Sequence, residues 1–431
     1  CLYPAVFRSG SHQRLCYHAE SVKLGYQHSY APVIDGHVTS LITAFILLYF
    51  GLGPIKGFAT TQIIALTLSL FTGIIVSRLI TDIYLNKGRH FKYFTKFSQG
   101  IFQKANFQFI KARKIGYIIS AVLILAGIAA FFNGFHYGVE FSGGRMYTVQ
   151  LDSKHATQDI RHDLQPYFGN HPVVKTLGSN NQYSITTDYL IAEPDLKVGE
   201  EVMTKLYTGL KEKGYIPQGT DLNTFKTQTI HGIQSVSPLI SKDLVKGAKL
   251  ATIVSVLAIC IYIFIRFRKF QYSVGTVISL AHDALVTVAI FSFFKDIVPF
   301  SLEIDQHFIA ALLTIIGFSM NDTVIVYDRT REFFRKEPNG NKADIVNRAI
   351  NSTLTRTIMT SLTLFLVAVI LFIFGGEVIR GFAFAMSIGV LVATYSSIFI
   401  AAPLLIDLDK RNTLSVEEDK DARIKKVKEQ A

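Results

Sequence analysis

Hydrophobic residues in this chain gather into long unbroken runs, and eight of these are near the length needed to cross a bilayer. They lie near Val38–Phe50, Phe58–Ile83, Ile115–Phe132, Leu250–Ile265, Tyr272–Phe294, His307–Tyr327, Thr357–Phe374 and Phe382–Ile406. The first is short, so it extends at one end or the other. Between the third and fourth runs the pattern changes. "RMYTVQL" (Arg145–Leu151) alternates like a strand, and "TQDIRHDLQPYF" has the spacing of an amphipathic helix. "PVVKTL" and "QYSITT" read as strands, "GEEVMTKLYTGLKEKG" as a second helix, and "TFKTQTIHGI" as a last strand.

Strand–helix–strand–strand–helix–strand is the ferredoxin-like order, so one α+β unit is expected among the spans. The expected fold class is thus a polytopic α-helical membrane protein with one ferredoxin-like α+β extracytoplasmic domain. It divides into an N-terminal segment (1–37), a helical hairpin (38–83), a linker (84–114), one span (115–132), the α+β unit (133–247), five spans (248–406) and a tail (407–431).

Composition agrees. Of 431 residues, 49% are hydrophobic and Trp is absent, and a mean hydropathy of +0.32 is too apolar for a soluble chain of this size. The net charge of +12 is concentrated in alternate loops. One set holds Lys87, Arg89, Lys92, Lys96, Lys104, Lys111, Arg113 and Lys114, then Arg266, Arg268 and Lys269, then Arg329, Arg331, Arg335, Lys336, Lys342 and Arg348. Short loops of the other parity hold only Lys56, Lys295 and Arg380. By the positive-inside rule both termini and the basic loops are cytoplasmic, and the α+β unit is outside. The basic linker suits an anionic lipid surface; no nucleic acid is expected as a partner.

Cys1, Cys16 and Cys260 give neither a disulfide framework nor a metal spacing. "GVEFSGGRM" has the Gly-Gly of a tight turn and no phosphate loop follows it, so no cofactor is expected. The chain begins with Cys and reads as starting inside a longer protein.

Two hairpins repeat. "YFGLGPIKGFATT" and "IFGGEVIRGFAFA" share F-G-x-x-x-I-[KR]-G-F-A without a gap, and each follows a Thr-Ser-Leu, at Thr39 and Thr360. Four residues before these stand Asp35 and Arg356, of opposite charge. Paired repeats in transporters place the working site at their interface near the bilayer midplane. The second copy is preceded by an Asp322-bearing span, and a counterpart for it is expected upstream of residue 1.

The candidate chemistry lies in polar groups within spans. Asn321 and Asp322 interrupt the run from Phe308 to Tyr327, where a carboxylate costs about 3 kcal/mol or more. Ser319, Asp322 and Thr323 share one helix face, which should look into the bundle. Arg356 opens the next span beside Thr357, Thr360 and Ser361; snorkelling to headgroups is its alternative. His282 and Asp283 lie within "VISLAHDALVTVAIF", where an ion-path role and a place near the interface both remain open. Asp328 and the arginines after it read as the solvated edge of their helix.

These stretches carry a family resemblance. "GFSMNDTVIVYDRTRE", "VEFSGGRM", "VSPLISKDL", "AHDALVT" and the block from "RTIMTSL" to "IAAPLL" resemble the SecF side of the bacterial SecD/SecF protein-export membrane proteins. "DGHVTSLITAFILLYFGLGPIKGFATT" resembles the end of the SecD side, as in fused SecDF forms, while Cys1–Ser21 does not read as SecD. Phe318 and Met320 depart from the family, which more often has Tyr and an aliphatic there.

The resemblance implies the resistance–nodulation–division superfamily, an inner-membrane location and no enzymatic activity. It implies an auxiliary role in the Sec translocase, drawing on a proton or sodium gradient to promote export. The implied partners are the SecYEG translocon, an upstream SecD portion, a YajC-like accessory protein, unfolded secretory polypeptides and membrane lipids. It assigns the ion relay to Asp322 and Arg356, within the block Asn321, Asp322 and Thr323; His282, Asp283, Thr360 and Ser361 are possible accessories of the path. The rival from another class is an efflux transporter of small molecules or lipids from the same superfamily, which needs a large substrate cleft. A static membrane scaffold is the third reading.

Overall fold

The computed structural model describes residues 11–51, 54–87, 106–177, 181–191, 193, 196–298, 300, 302–409 and 414. Residues 1–10, most of the basic linker and nearly all of the charged tail fall outside these. Eight helices among the described residues are long and apolar enough to cross a membrane.

Helix α1 (Ser11–Phe50) is far longer than its apolar run and continues through Pro32. α2 (Pro54–Phe71) passes through a π-helical turn at Thr72–Val76 into α3 (Ser77–Asn86). α4 (Arg113–Asn133) leads to the α+β unit. On its far side come α9 (Pro238–Phe267), α10 (Phe270–Phe294), α11 (Gln306–Lys336), α12 (Lys342–Phe374) and α13 (Gly376–Ser396). A second π-helical turn, Ser397–Ala401, joins α13 to α14 (Ala402–Leu408). Counted from the shared F-G of the repeat, the two π-turns fall within one residue of each other, so the repeat extends to backbone geometry.

α11 is the central helix. At 1.5 Å per residue its 31 residues span about 46 Å, longer than the ~30 Å hydrocarbon core. Most of its apolar length is buried against α1, α10, α12 and α13, whereas the helix Ile55–Asn86 has an exposed middle and buries Ile55 and Ala59 near one end and Thr81 and Leu85 near the other. Gly389 lets α13 come close: a Cβ there would stand 2.2 Å from Cδ1 of Ile315.

The α+β unit follows the expected element order. β2 (Gly144–Gln150), β3 (Val173–Leu177), β4 (Gln182–Thr187) and β5 (Ile230–Val236) form an antiparallel sheet of order β3-β4-β2-β5. α6 (Thr157–Phe168) and α7 (Leu196–Glu212) supply Ile160, Leu164, Val202, Leu206 and Leu210 to a core closed by Tyr147, Val149, Tyr183 and Ile185. Gly143 (φ 75°) and Gly144 (φ 153°) make the tight turn read from the sequence, just after the short α5 (Val139–Ser142).

Three boundaries differ from the sequence reading. The last strand starts at Ile230, because residues 222–229 are helical: Asp221 accepts from the Thr224 backbone N–H at 3.2 Å to start α8 (Leu222–Thr224), and Phe225 is fully buried. α12 starts at Lys342, capped by the Asn341 side chain, and buries Ile345, Ala349, Ile350, Thr353 and Leu354 at helical spacing. Arg356 therefore lies within α12 instead of opening it. The first span is the helix Val22–Phe50.

The α+β unit is tied to the N-terminus of α11. β1 (His136–Tyr137) pairs in parallel with β6 (Glu303–Ile304), and Lys175 of β3 meets Glu303 at 2.5 Å. Asp305 then caps α11, accepting from the Phe308 N–H at 2.7 Å.

Candidate functional site

The polar seam begins on α11. Ser319, Asp322 and Thr323 share one face by i+3 and i+4 spacing, and all are buried. Asn321 points elsewhere, against α1, where Gly36 leaves room: a Cβ at that position would stand 2.2 Å from Asn321 Oδ1.

The Asp322 carboxylate is fully buried, yet few donors reach it. Oδ2 accepts from Ser361 of α12 at 3.3 Å, and Oδ1 has no hydrogen-bond partner. The Ser361 hydroxyl carries one proton and has two acceptors in reach, Asp322 and the Thr357 carbonyl of its own helix at 2.8 Å. It also accepts from Thr394 of α13 at 2.6 Å. Thr357 Oγ1, one turn earlier, is buried and unpartnered. Two faces of an apolar bundle thus meet at a carboxylate whose hydrogen bonding is incomplete. An uncompensated buried charge is costly, so this geometry suits a carboxyl that gains and loses a cation.

Arg356 is not hydrogen-bonded to Asp322. Its side chain is exposed on α12, close enough for its charge to act on the carboxylate. Thr360 is exposed on the same stretch and bonds back to the Arg356 carbonyl at 3.0 Å.

His282 and Asp283 are fully buried midway along α10, away from either helix end. Asp283 Oδ1 faces His282 Nδ1 at 3.1 Å, and Oδ2 accepts from Ser319 of α11 at 2.6 Å and Ser396 of α13 at 2.8 Å. Ser279 donates to Ser396 at 3.0 Å, and Thr323 meets Ser397 at 2.9 Å. Ser396 and Ser397 are adjacent yet both fully buried, at the start of the π-turn. Such turns change the helical register and recur at functional sites.

A second charged cluster went unread in the sequence. Arg266 of α9 donates to Asp35 of α1 at 2.7 Å and to Asp328 of α11 at 3.3 Å, and Tyr262 donates to Asp35 at 2.7 Å. Asp328 is therefore a bridging residue, in contrast to the solvated edge expected. Asp35, matched to Arg356 by the repeat, is buried and paired, whereas Arg356 is exposed. For Thr394, Ser396 and Ser397 a signal existed, the polar string "TYSS" within an apolar span.

Comparison with known proteins connects this arrangement to a family. The profile "Protein export membrane protein SecD/SecF, C-terminal" matches residues 219–411, and "SecD/SecF GG Motif" matches 128–154. Protein translocase subunit SecF of Rhodothermus marinus is 41% identical over 318 residues, which cover 72% of this chain and 96% of that protein. Protein translocase subunit SecDF of Brucella abortus is 32% identical over 90% of this chain and 48% of its own length. This chain thus spans about half the length of that SecDF relative. The crystal structure of SecDF from Thermus thermophilus, described as a translocon-associated membrane protein, superposes with a TM-score of 0.75 at 26% identity, covering 93% of this chain and 52% of that one. The chain belongs to the SecD/SecF family of protein-export membrane proteins.

Proposed function

We propose that this multi-pass membrane protein is an auxiliary subunit of the Sec translocase that uses a proton or sodium gradient to promote export. Asp322 is the group that carries the ion. One observation bears most of this reading: a fully buried carboxylate on the central helix has one oxygen unpartnered and the other against a hydroxyl with a second acceptor in reach. With Asp322 ionised, Ser361 donates to it; with Asp322 neutral, Ser361 turns back to its helix carbonyl. Arg356 supplies a fixed positive charge that favours release of the proton, and Asn321 and Thr323 hold α11 against α1 and the π-turn.

Motion at Asp322 has a mechanical route outward. α11 is a single helix from Gln306 through Asp322, and its N-terminus is tied to the α+β sheet by the β1–β6 pair and the Lys175–Glu303 contact. We read that unit as ferredoxin-like, on its strand order and its two covering helices, and as periplasmic, on the distribution of Lys and Arg. The inner membrane, the SecYEG channel, a YajC-like protein and unfolded clients complete the reading. Its superfamily, resistance–nodulation–division, is supported by the paired hairpins with matching π-turns. An efflux role needs a substrate cleft, and the interior of the α+β unit is filled by Tyr147, Tyr183 and Phe225.

The test is export in cells depleted of their own SecD/SecF proteins and supplied with the full chain as the organism makes it. Asp322→Asn keeps size and hydrogen bonding and removes titration, so the variant should reach the membrane in normal amount and lose export. Normal export at equal abundance would leave Asp322 a static polar contact.

A further inference from the structure

We propose that His282 and Asp283 form a second proton-binding site, distinct from Asp322, which holds α11 and α13 through Ser319 and Ser396. The inference rests on the export reading only for what the proton is used for; the site itself stands on its own geometry.

Asp283 faces more hydrogen-bond partners than Asp322 does, although the Ser396 hydroxyl also has the Ala393 carbonyl in reach at 3.1 Å. Both serine hydroxyls approach Oδ2, at 2.6 and 2.8 Å, and His282 Nδ1 approaches Oδ1 at 3.1 Å. An ionised carboxylate only accepts, so Nδ1 carries the proton of this contact. The other ring nitrogen, Nε2, is buried and has no hydrogen-bond partner. With Nε2 bare, the pair carries one net negative charge in a low-dielectric interior. With a proton on Nε2 it becomes an imidazolium beside a carboxylate, net neutral, which such an interior favours. The pair therefore takes up a proton at Nε2 and gives it up from the same atom, and no other bond changes.

The surroundings leave this balance to the pair. From α13, Tyr395 lies with its ring 6.0 Å from the imidazole, its hydroxyl donating to the Gly116 carbonyl at 2.7 Å and meeting Ser120 at 3.1 Å. α4 meets α10 where Gly127 packs on Leu285, and α9 meets it through Phe267 on Tyr272. From α11 come Ser319, Asp322 one turn beyond it, and Tyr327, which lies at Gly275 two turns from His282 and bonds to the Ala401 carbonyl at 3.2 Å. Asp407 of α14 is engaged by Tyr117 and Arg113 of α4. Asp322 is the nearest further acid along this seam, and two routes join the pair to it. One is the single helical turn from Ser319. The other runs from Ser396 along α13 to Thr394, then to Ser361, which reaches Asp322. Protonation weakens the pull on Ser319 and Ser396, so it loosens the two helices that frame Asp322.

Proton counting tests this. The purified full chain is taken from about pH 9 to about pH 5, the range in which histidine changes charge, and uptake is measured with a soluble indicator. Uptake is referred to the double variant Asp283→Asn/Asp322→Asn. Wild type should take up two protons more than this reference, and Asp283→Asn, Asp322→Asn and His282→Gln one more each. An unchanged count in Asp322→Asn alone overturns the ion-carrying role of Asp322 and leaves the second site standing. Counts equal to wild type in both Asp283→Asn and His282→Gln overturn the second site. Nitrogen-15 spectra of histidine-labelled wild type, with the His282 signal identified from His282→Gln, make the test independent of variant folding. That signal should pass from imidazolium to the Nδ1–H neutral form as pH rises, and a neutral ring at every pH would refute the proposal.

Discussion

Replacing Arg266 by Met should destabilise the bundle, because two acids lose their shared cation. The guanidinium sits 2.7 Å from Asp35 and 3.3 Å from Asp328, and Asp35 is almost wholly buried. At an effective dielectric constant of about 20, each charge pair at ~4 Å is worth about 4 kcal/mol before desolvation. Removing one member of a buried pair typically costs about 3–5 kcal/mol, because the other is left uncompensated. Arg266 and Asp328 keep 23% and 19% of their side-chain surface exposed, so solvent screens part of this and about 3 kcal/mol is expected. At roughly 2 °C per kcal/mol for a large chain, the apparent melting temperature in detergent falls by about 6 °C. Arg266→Lys keeps the charge but not the fork, and should fall about halfway. In Asp35→Asn/Arg266→Met the more buried of the two orphaned carboxylates is gone while Asp328 remains, so the loss should be smaller than the two single losses added, by about 1–3 kcal/mol. A melting temperature for Arg266→Met within 1 °C of wild type, or strict additivity in the double variant, would refute the argument.

Burial pushes the Asp305 carboxyl up to about 6, against the Phe308 N–H and the charges of His307 and Lys175, which lower it. Its folded form binds a proton more tightly than the unfolded chain does, so the stability from this group is full below about pH 4 and lost as pH rises through about 6. Asp305→Asn keeps the cap, and melting curves should show it more stable than wild type by up to about 3 kcal/mol at pH 7, the difference vanishing near pH 4; parallel curves would contradict this. Gly389→Ala presses a methyl group into Ile315 and should cost about 1–3 kcal/mol in chemical denaturation, where an unchanged midpoint would show that α11 and α13 are loosely packed. In an otherwise cysteine-free variant, a thiol within Gln182–Thr187 should react with an impermeant reagent from outside intact cells and one at position 339 should not; the reverse pattern overturns the orientation.

The spans were legible because a bilayer demands an unbroken apolar run, and eight such runs correspond to eight helices. Hydropathy reports the membrane and not the helix, which is why α12 was expected to open near Arg356 although its amphipathic first turns begin at Lys342. Asp322 stood out because a lone acid in such a run is costly. The hydroxyls after Arg356 were visible as a cluster, but nothing local says that Ser361 is the one that reaches Asp322. The Arg266 cluster was not legible: its acids lie 231 and 62 residues away along the chain, and no local pattern pairs them. Nor was the joint burial of Ser396 and Ser397, because neighbours on a regular helix point about 100° apart and no sequence pattern marks where a π-turn begins.

The central claim is that Asp322 carries the ion whose movement drives export. The direct measurement follows a secretory protein in membrane vesicles with the translocation ATP supply held constant, comparing an imposed ion gradient with none. Wild-type protein, as the organism makes it, should show a gradient-dependent increment in completed export. Asp322→Asn should retain the gradient-independent level and lose the increment entirely, while Asp322→Glu retains part of it. An undiminished increment in Asp322→Asn, at equal abundance in the membrane, would contradict the account.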